Sequence, residues 1–108
     1  MGASDKPETP ELHREVRDIL EAHCRWTETD GREGRRACFR GADLNGMELQ
    51  GAMLRAGDLS EAGLVQTRLG RADLREADLR RARLQKADLS EARLDSALLD
   101  GASMVGAR

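Results

Sequence analysis

His13, His23, Cys24 and Cys38 are the residues of this chain best equipped for metal or nucleophilic chemistry. His23 stands beside Cys24, and an imidazole with two thiols could be drawn as a zinc site. The spacing argues against it, because Cys24 and Cys38 form neither a CxxC pair nor another zinc pattern. A histidine on a helix that contacts the rest of the fold is the simpler reading of His23, and an incidental surface thiol that of Cys38. Ser60, Ser90, Ser96 and Ser103 offer hydroxyls, but no His and Asp follow in an order that suggests a triad. Asp and Glu total 20, yet they recur at fixed repeat positions and read as a solvated surface rather than as acid–base pairs. Gly41, Gly46, Gly51, Gly101 and Gly106 also recur at one position. They suit corners better than a phosphate loop, which needs a strand and a helix around it. Trp26 could be a binding aromatic; packing within a cap accounts for it more simply. No catalytic, cofactor-binding or metal-ligating set emerges, and the chain reads as a non-enzyme that needs no cofactor.

The elements that carry these residues are set by a period of five. A large apolar residue falls on every fifth position: Phe39, Leu44, Leu49, Leu54, Leu59, Leu64, Leu69, Leu74, Leu79, Leu84, Leu89, Leu94, Leu99 and Met104. Two residues before each stands a small residue, nearly always alanine; Met47, Gly57 and Thr67 are the exceptions. Neither a helix face nor a strand repeats every five residues. On a helix, leucines so spaced would drift by about 140° per step. A solenoid that turns one corner every five residues resolves the mismatch. Each large residue then points to the axis, each alanine fills the space beside it, and the other three positions face water. Met47 places a long, flexible side chain where alanine is expected, and an end cap could cover it.

The repeats read Ala42-Asp43-Leu44-Asn45-Gly46, Ala72-Asp73-Leu74-Arg75-Glu76, Ala77-Asp78-Leu79-Arg80-Arg81 and Ala87-Asp88-Leu89-Ser90-Glu91. They resemble the pentapeptide repeat family, whose pattern is A(D/N)LXX. The resemblance covers about two thirds of the chain. It implies an all-β solenoid, a right-handed quadrilateral β-helix with four repeats per coil. Fourteen repeat centres then make about three and a half coils. The residue before the large one departs from Asp or Asn at Cys38, Met53, Gly63, Arg68, Arg83, Arg93, Leu98 and Ser103, but this position is expected to point outward. With four repeats per coil, residues twenty apart stack. The columns Glu48–Arg68–Asp88, Glu61–Arg81 and Arg71–Glu91 then alternate in sign, while Asp58 over Asp78 is unfavourable.

Residues 1–8 read as a flexible tail, 9–36 as an amphipathic capping helix and its linker, and 37–108 as the repeat domain. Thr9 suits an N-cap, Pro10 the first helical position and Glu11 the positive helix end. Leu12, Val16, Ile19 and Leu20, with His23, share one face of a helix from about Pro10 to Trp26, and Trp26 lies beside it. Asp30-Gly31 signals the turn that follows. A β-helix exposes unpaired backbone at both ends, and solenoids need terminal caps. This helix is the natural lid for the coil around Phe39 and Met47. At the other end Leu98, Leu99, Met104 and Val105 make an apolar region that reads as an interface or as the start of further repeats.

Over all 108 residues, 35% are charged and 2% aromatic, with a net charge of −2 and a mean hydropathy of −0.64. Composition alone would suggest disorder; the strict repeat overrides it. No apolar run approaches the ~20 residues of a membrane span, and Met1 to Pro10 carries no signal-peptide pattern. Two cysteines without partners fit a reducing cytoplasm. Residues 37–108 carry eleven Lys and Arg against eleven Asp and Glu. The basic run from Arg71 to Lys86 is interleaved with Asp73, Glu76 and Asp78 and holds no aromatic, so nucleic-acid binding is not indicated. The expected function is a non-catalytic structural or protein-interaction module. Its partner is another protein or a second copy docked at the C-terminal coil. The resemblance implies an alternative, a DNA-mimicking binder of DNA gyrase or topoisomerase of the quinolone-resistance type; neutral faces and a short rod speak against it.

Overall fold

The computed structural model describes the backbone of residues 10–108 and side chains from residue 14 onward. The expected tail, the Thr9 cap and the Leu12 side chain lie outside the described residues.

One helix, α1 (Pro10–Glu28), precedes the repeats. Val16 is buried in the main apolar core, and Ile19 and Leu20 pack half-buried against it. With the fully buried His23, they occupy positions three and four apart, the spacing of one helical face. The helix runs two residues beyond the expected Trp26. Its end is a Schellman motif: Gly31 N–H bonds Trp26 O at 2.8 Å and Asp30 N–H bonds Thr27 O at 3.5 Å. The left-handed position falls on Asp30, at φ 54°. That position usually carries glycine, and a short Asx side chain tolerates it. The linker then passes tightly under the helix, with Arg35 N–H on Ala22 O at 3.0 Å.

From Ala37 onward the chain forms no extended strands. Each repeat contributes one bridge residue, and parallel bridges join residues twenty apart, from Cys38↔Asp58 to Arg83↔Ser103. Four repeats therefore complete one coil. Leu59 shows the bonding that recurs through the stack. Leu59 N–H bonds Asp78 O at 2.7 Å and Glu61 N–H bonds Arg80 O at 2.8 Å, while Asp78 N–H returns to Gly57 O at 2.9 Å. Ala62 N–H closes the corner on Leu59 O at 3.1 Å. That corner needs a left-handed residue two places after each large apolar one. All fourteen such positions, from Gly41 to Gly106, have φ between 60° and 75°. Glycine is therefore not obligatory at the corner: nine of the fourteen carry side chains, Glu61, Arg71 and Lys86 among them.

Leu54, Leu59, Leu64, Leu69, Leu74, Leu79 and Leu84 are wholly inaccessible. Met47 is buried in the alanine row, and so is Thr67, whose hydroxyl donates to Leu44 O at 2.7 Å. The ladder opens toward its C-terminal end: Leu94 and Leu99 are half-buried and Met104 is exposed.

The position before each leucine does not simply face water. Asp43, Asp58, Asp73, Asp78 and Asp88 each turn Oδ1 back to accept the N–H two residues on, at 3.0 to 3.2 Å. These are Asx turns that brace the corner, and they leave Asp73 only 8% exposed.

Candidate functional site

The sides of the coil are lined by paired charges. Asp78 receives both Arg80 Nε and a second guanidinium N–H, at 2.9 and 2.7 Å. The Arg80 side-chain hydrogen bond holds its carboxyl down at about 2. Arg75 lowers Asp73 in the same way, and the Ser90 hydroxyl lowers Asp88. The Asp58–Asp78 stack is thereby relieved, because Asp58 is bonded to Ser60 N–H and Oγ while Asp78 is matched by Arg80. Glu48, Arg68 and Asp88 are in bridge register, but among the described residues no ion pair forms along that column. Arg81–Glu61 at 3.5 Å and Arg71–Glu91 at 2.8 Å do form across adjacent coils. Both partners of the Arg71–Glu91 pair remain largely in solvent, where an ion pair contributes little. Arg71→Ala should change stability by no more than about 0.5 kcal/mol in denaturant unfolding.

Ser60 Oγ and Ser90 Oγ donate to the aspartate two residues back, at 2.7 and 2.5 Å. These contacts belong to the corner and present no nucleophile–base relay. Cys24 is half-buried and its thiol lies 3.7 Å from Glu28 Oε2. Burial, reinforced by the Glu28 charge, raises its pKa and keeps it a thiol. Cys38 is exposed on the first coil. Among the described residues no cluster of three His, Cys, Asp or Glu side chains is placed to hold a metal ion.

His23 is the chemically most constrained group. It is wholly inaccessible, with Nε2 2.7 Å from Arg55 O and Nδ1 2.9 Å from the Ala37 N–H. Nδ1 must accept, so Nε2 carries the proton and donates; both ring nitrogens are used and none is left for a metal. Burial lowers its pKa below the ordinary 6.5, and the Arg36 charge adds to the effect. Trp26 stacks on this ring, with centroids 5.5 Å apart. Trp26 is half-buried and lines a surface pocket with Arg55, Ala56 and Glu76 of the coil. The helical pattern placed His23 on the inward face; its partners, fourteen and thirty-two residues away, left no local signal.

At the far end the coil is open. In earlier coils the N–H of each ladder residue and of the residue two on, and the C=O of each alanine, bond to the next coil. The equivalent groups of the last coil are the N–H of Glu91, Leu94, Ser96, Leu99, Gly101, Met104 and Gly106, and the C=O of Ala92, Ala97 and Ala102. Among the described residues these have no backbone partner. Leu98, 46% exposed, and Val105, 75% exposed, flank them. Leu99, half-buried, and Met104, exposed, lie in the ladder at the same end as this donor-rich backbone edge.

Comparison with known proteins gives one family. A family model described as "Pentapeptide repeats (8 copies)" matches residues 35–71, 58–95 and 77–108. Among solved structures, a pentapeptide repeat protein of the Arabidopsis thaliana thylakoid lumen is 31% identical with a TM-score of 0.51. The match covers 63% of this chain and 61% of that one. A pentapeptide repeat protein of Nostoc is 34% identical over 82% of this chain and 74% of its own, with a TM-score of 0.46. HetL, a Nostoc pentapeptide repeat protein involved in heterocyst differentiation regulation, is 33% identical over 65% of this chain but only 37% of its own, with a TM-score of 0.42. The chain thus spans less than two thirds of the thylakoid-lumen protein and of HetL. No curated protein sequence matches significantly.

Proposed function

The chain belongs to the pentapeptide repeat family, whose members form right-handed β-helices, and from that premise we propose that it is a non-catalytic protein-interaction module that docks through its C-terminal coil. In this reading residues 37–108 make about three and a half coils, and α1 is the lid of the first. One observation carries it. The ladder that is fully buried through Leu84 becomes half-buried at Leu94 and Leu99 and exposed at Met104. Exposed Leu98 and Val105 sit beside it. An apolar patch rimmed by polar residues favours a protein surface as its cover. The sides, with arginines paired to carboxylates and no net charge over residues 37–108, are ill-suited to imitate a phosphate backbone, which weighs against the gyrase-binding alternative.

The test is affinity capture with the immobilised chain and with Leu99→Lys/Val105→Lys, whose folding is checked by circular dichroism. The wild type should retain proteins that the double variant loses at least tenfold. Identical retained sets would overturn the reading.

A further inference from the structure

The two faces of a coil are not alike. Toward the following coil each repeat presents two N–H donors and one C=O acceptor, as Leu59, Glu61 and Gly57 do. Toward the preceding coil it presents the inverse, one donor and two acceptors, as Asp78 N–H with Asp78 O and Arg80 O do. Two C-terminal faces brought together would oppose donors to donors. The cover that matches the C-terminal face is an acceptor-rich first face of the same five-residue, twenty-register coil. In this chain that face belongs to residues 38–55, and α1 lies over it. One contact shows how: His23 Nε2 donates to Arg55 O. By register, Arg55 O is the acceptor that a preceding coil would fill with a backbone N–H, as Arg75 O receives Ala56 N–H.

Resting on the docking reading above, we propose that the partner of the C-terminal face is the first coil of a second copy of this chain, stacked head to tail, and that α1, latched by His23, gates this stacking. The latch requires a neutral ring, because protonated Nδ1 would set its own proton against the Ala37 N–H. Charged and titratable groups around it are Arg36 from the linker, Arg55 and its ion-pair partner Glu76 from the coil, and Cys24 and Glu28 following on α1. Burial opposes protonation most, and the Arg36 charge adds to it. A histidine with a lowered folded pKa supports the closed form fully above 6.5, and that support is lost as pH falls from 6.5 through the folded value. Three aspartates of the coil are also lowered: Asp78 to about 2, and Asp73 and Asp88 in the same direction. Acidification therefore loosens the latch through His23, while the lowered carboxylates keep the corners of the coil braced.

The decisive experiment uses two chains that cannot polymerise, followed by light scattering at pH 7.5. Wild type has a live C-terminal face and a closed lid. His23→Ala/Leu99→Lys has an open lid and a disabled C-terminal face. Each alone should be a monomer of 11.9 kDa; a 1:1 mixture should give a species of twice that mass. A mixture that stays monomeric overturns the proposal, as does wild type that dimerises alone, which would mean face-to-face pairing. Loss of self-stacking would leave the capture result above untouched, so the two readings fail separately. If the double variant is unfolded by circular dichroism, the wild type is read instead across pH 7.5 to 5. Its mass should at least double on acidification, and that of Leu99→Lys should not; an unchanged wild-type mass overturns the proposal.

Discussion

Leu79→Asp unfolds the coil. Leu79 is wholly inaccessible; its N–H joins the next coil on Leu98 O at 2.8 Å, and its C=O accepts the corner-closing Ala82 N–H at 3.0 Å. The substitution removes a large apolar side chain from a close-packed axis, which alone costs about 2–5 kcal/mol. It also buries a carboxyl with no partner, which adds at least about 1–3 kcal/mol even when the group stays protonated. The sum is on the scale of the whole stability of a domain, about 5–15 kcal/mol. Far-UV circular dichroism at neutral pH should report an unfolded chain. Leu79→Met, which conserves volume, should cost less than about 1.5 kcal/mol and stay folded. A folded aspartate variant would mean that the axis admits water.

The second large effect falls on Gly34. It has φ +76°, and a Cβ there would collide with Ala22 O, besides lying 2.7 Å from Trp26 N and 2.9 Å from Arg25 Cβ. The obstructing atoms are backbone and a helical Cβ, so none can swing aside. Gly34→Ala should lift α1 off the first coil, breaking the Arg35–Ala22 bond and with it the His23 contacts. Trp26 is the only tryptophan, so its emission should shift to the red while residues 37–108 stay protected from proteolysis. Gly46→Ala is the control. Its φ of +73° is as unusual, yet an added Cβ meets nothing within 4 Å, and nine corner residues already carry side chains in that conformation. Its cost should be about 1 kcal/mol, with Trp26 emission unchanged.

These two sites show what could be read from the chain and what could not. Leu79 announces itself, because the period of five places it on the axis before any coordinates exist. Gly34 lies in a stretch that reads only as a linker, since its role depends on how closely that linker passes beneath Ala22. The same division holds for charge. Sequence placed Asp58 over Asp78 as a liability, and the register is so. The Asx turns that redirect both carboxylates depend on a corner geometry that the repeat pattern does not spell out. His23 falls between the two cases: its face of the helix follows from periodicity, whereas its fit between Ala37 N–H and Arg55 O depends on where the helix lands. At the C-terminal end the apolar residues were legible, and the excess of backbone donors beside them was not.

The twenty-residue register gives this chain two units of length. Deleting residues 62–66 would leave the axis filled, because Leu69 would take the place of Leu64. Every outward neighbour across the junction would change, however. Asp58 would stand over Arg83 instead of Asp78, and Glu61 over Lys86 instead of Arg81. All later faces would turn by one side of the coil, carrying any docking surface on those sides to a new direction. Removal of twenty residues would shorten the rod and keep each side facing as before. Duplication and loss of single repeats are thus tolerated by the core and rewrite the surface, so that length variation among such chains is itself a means of re-aiming what they present.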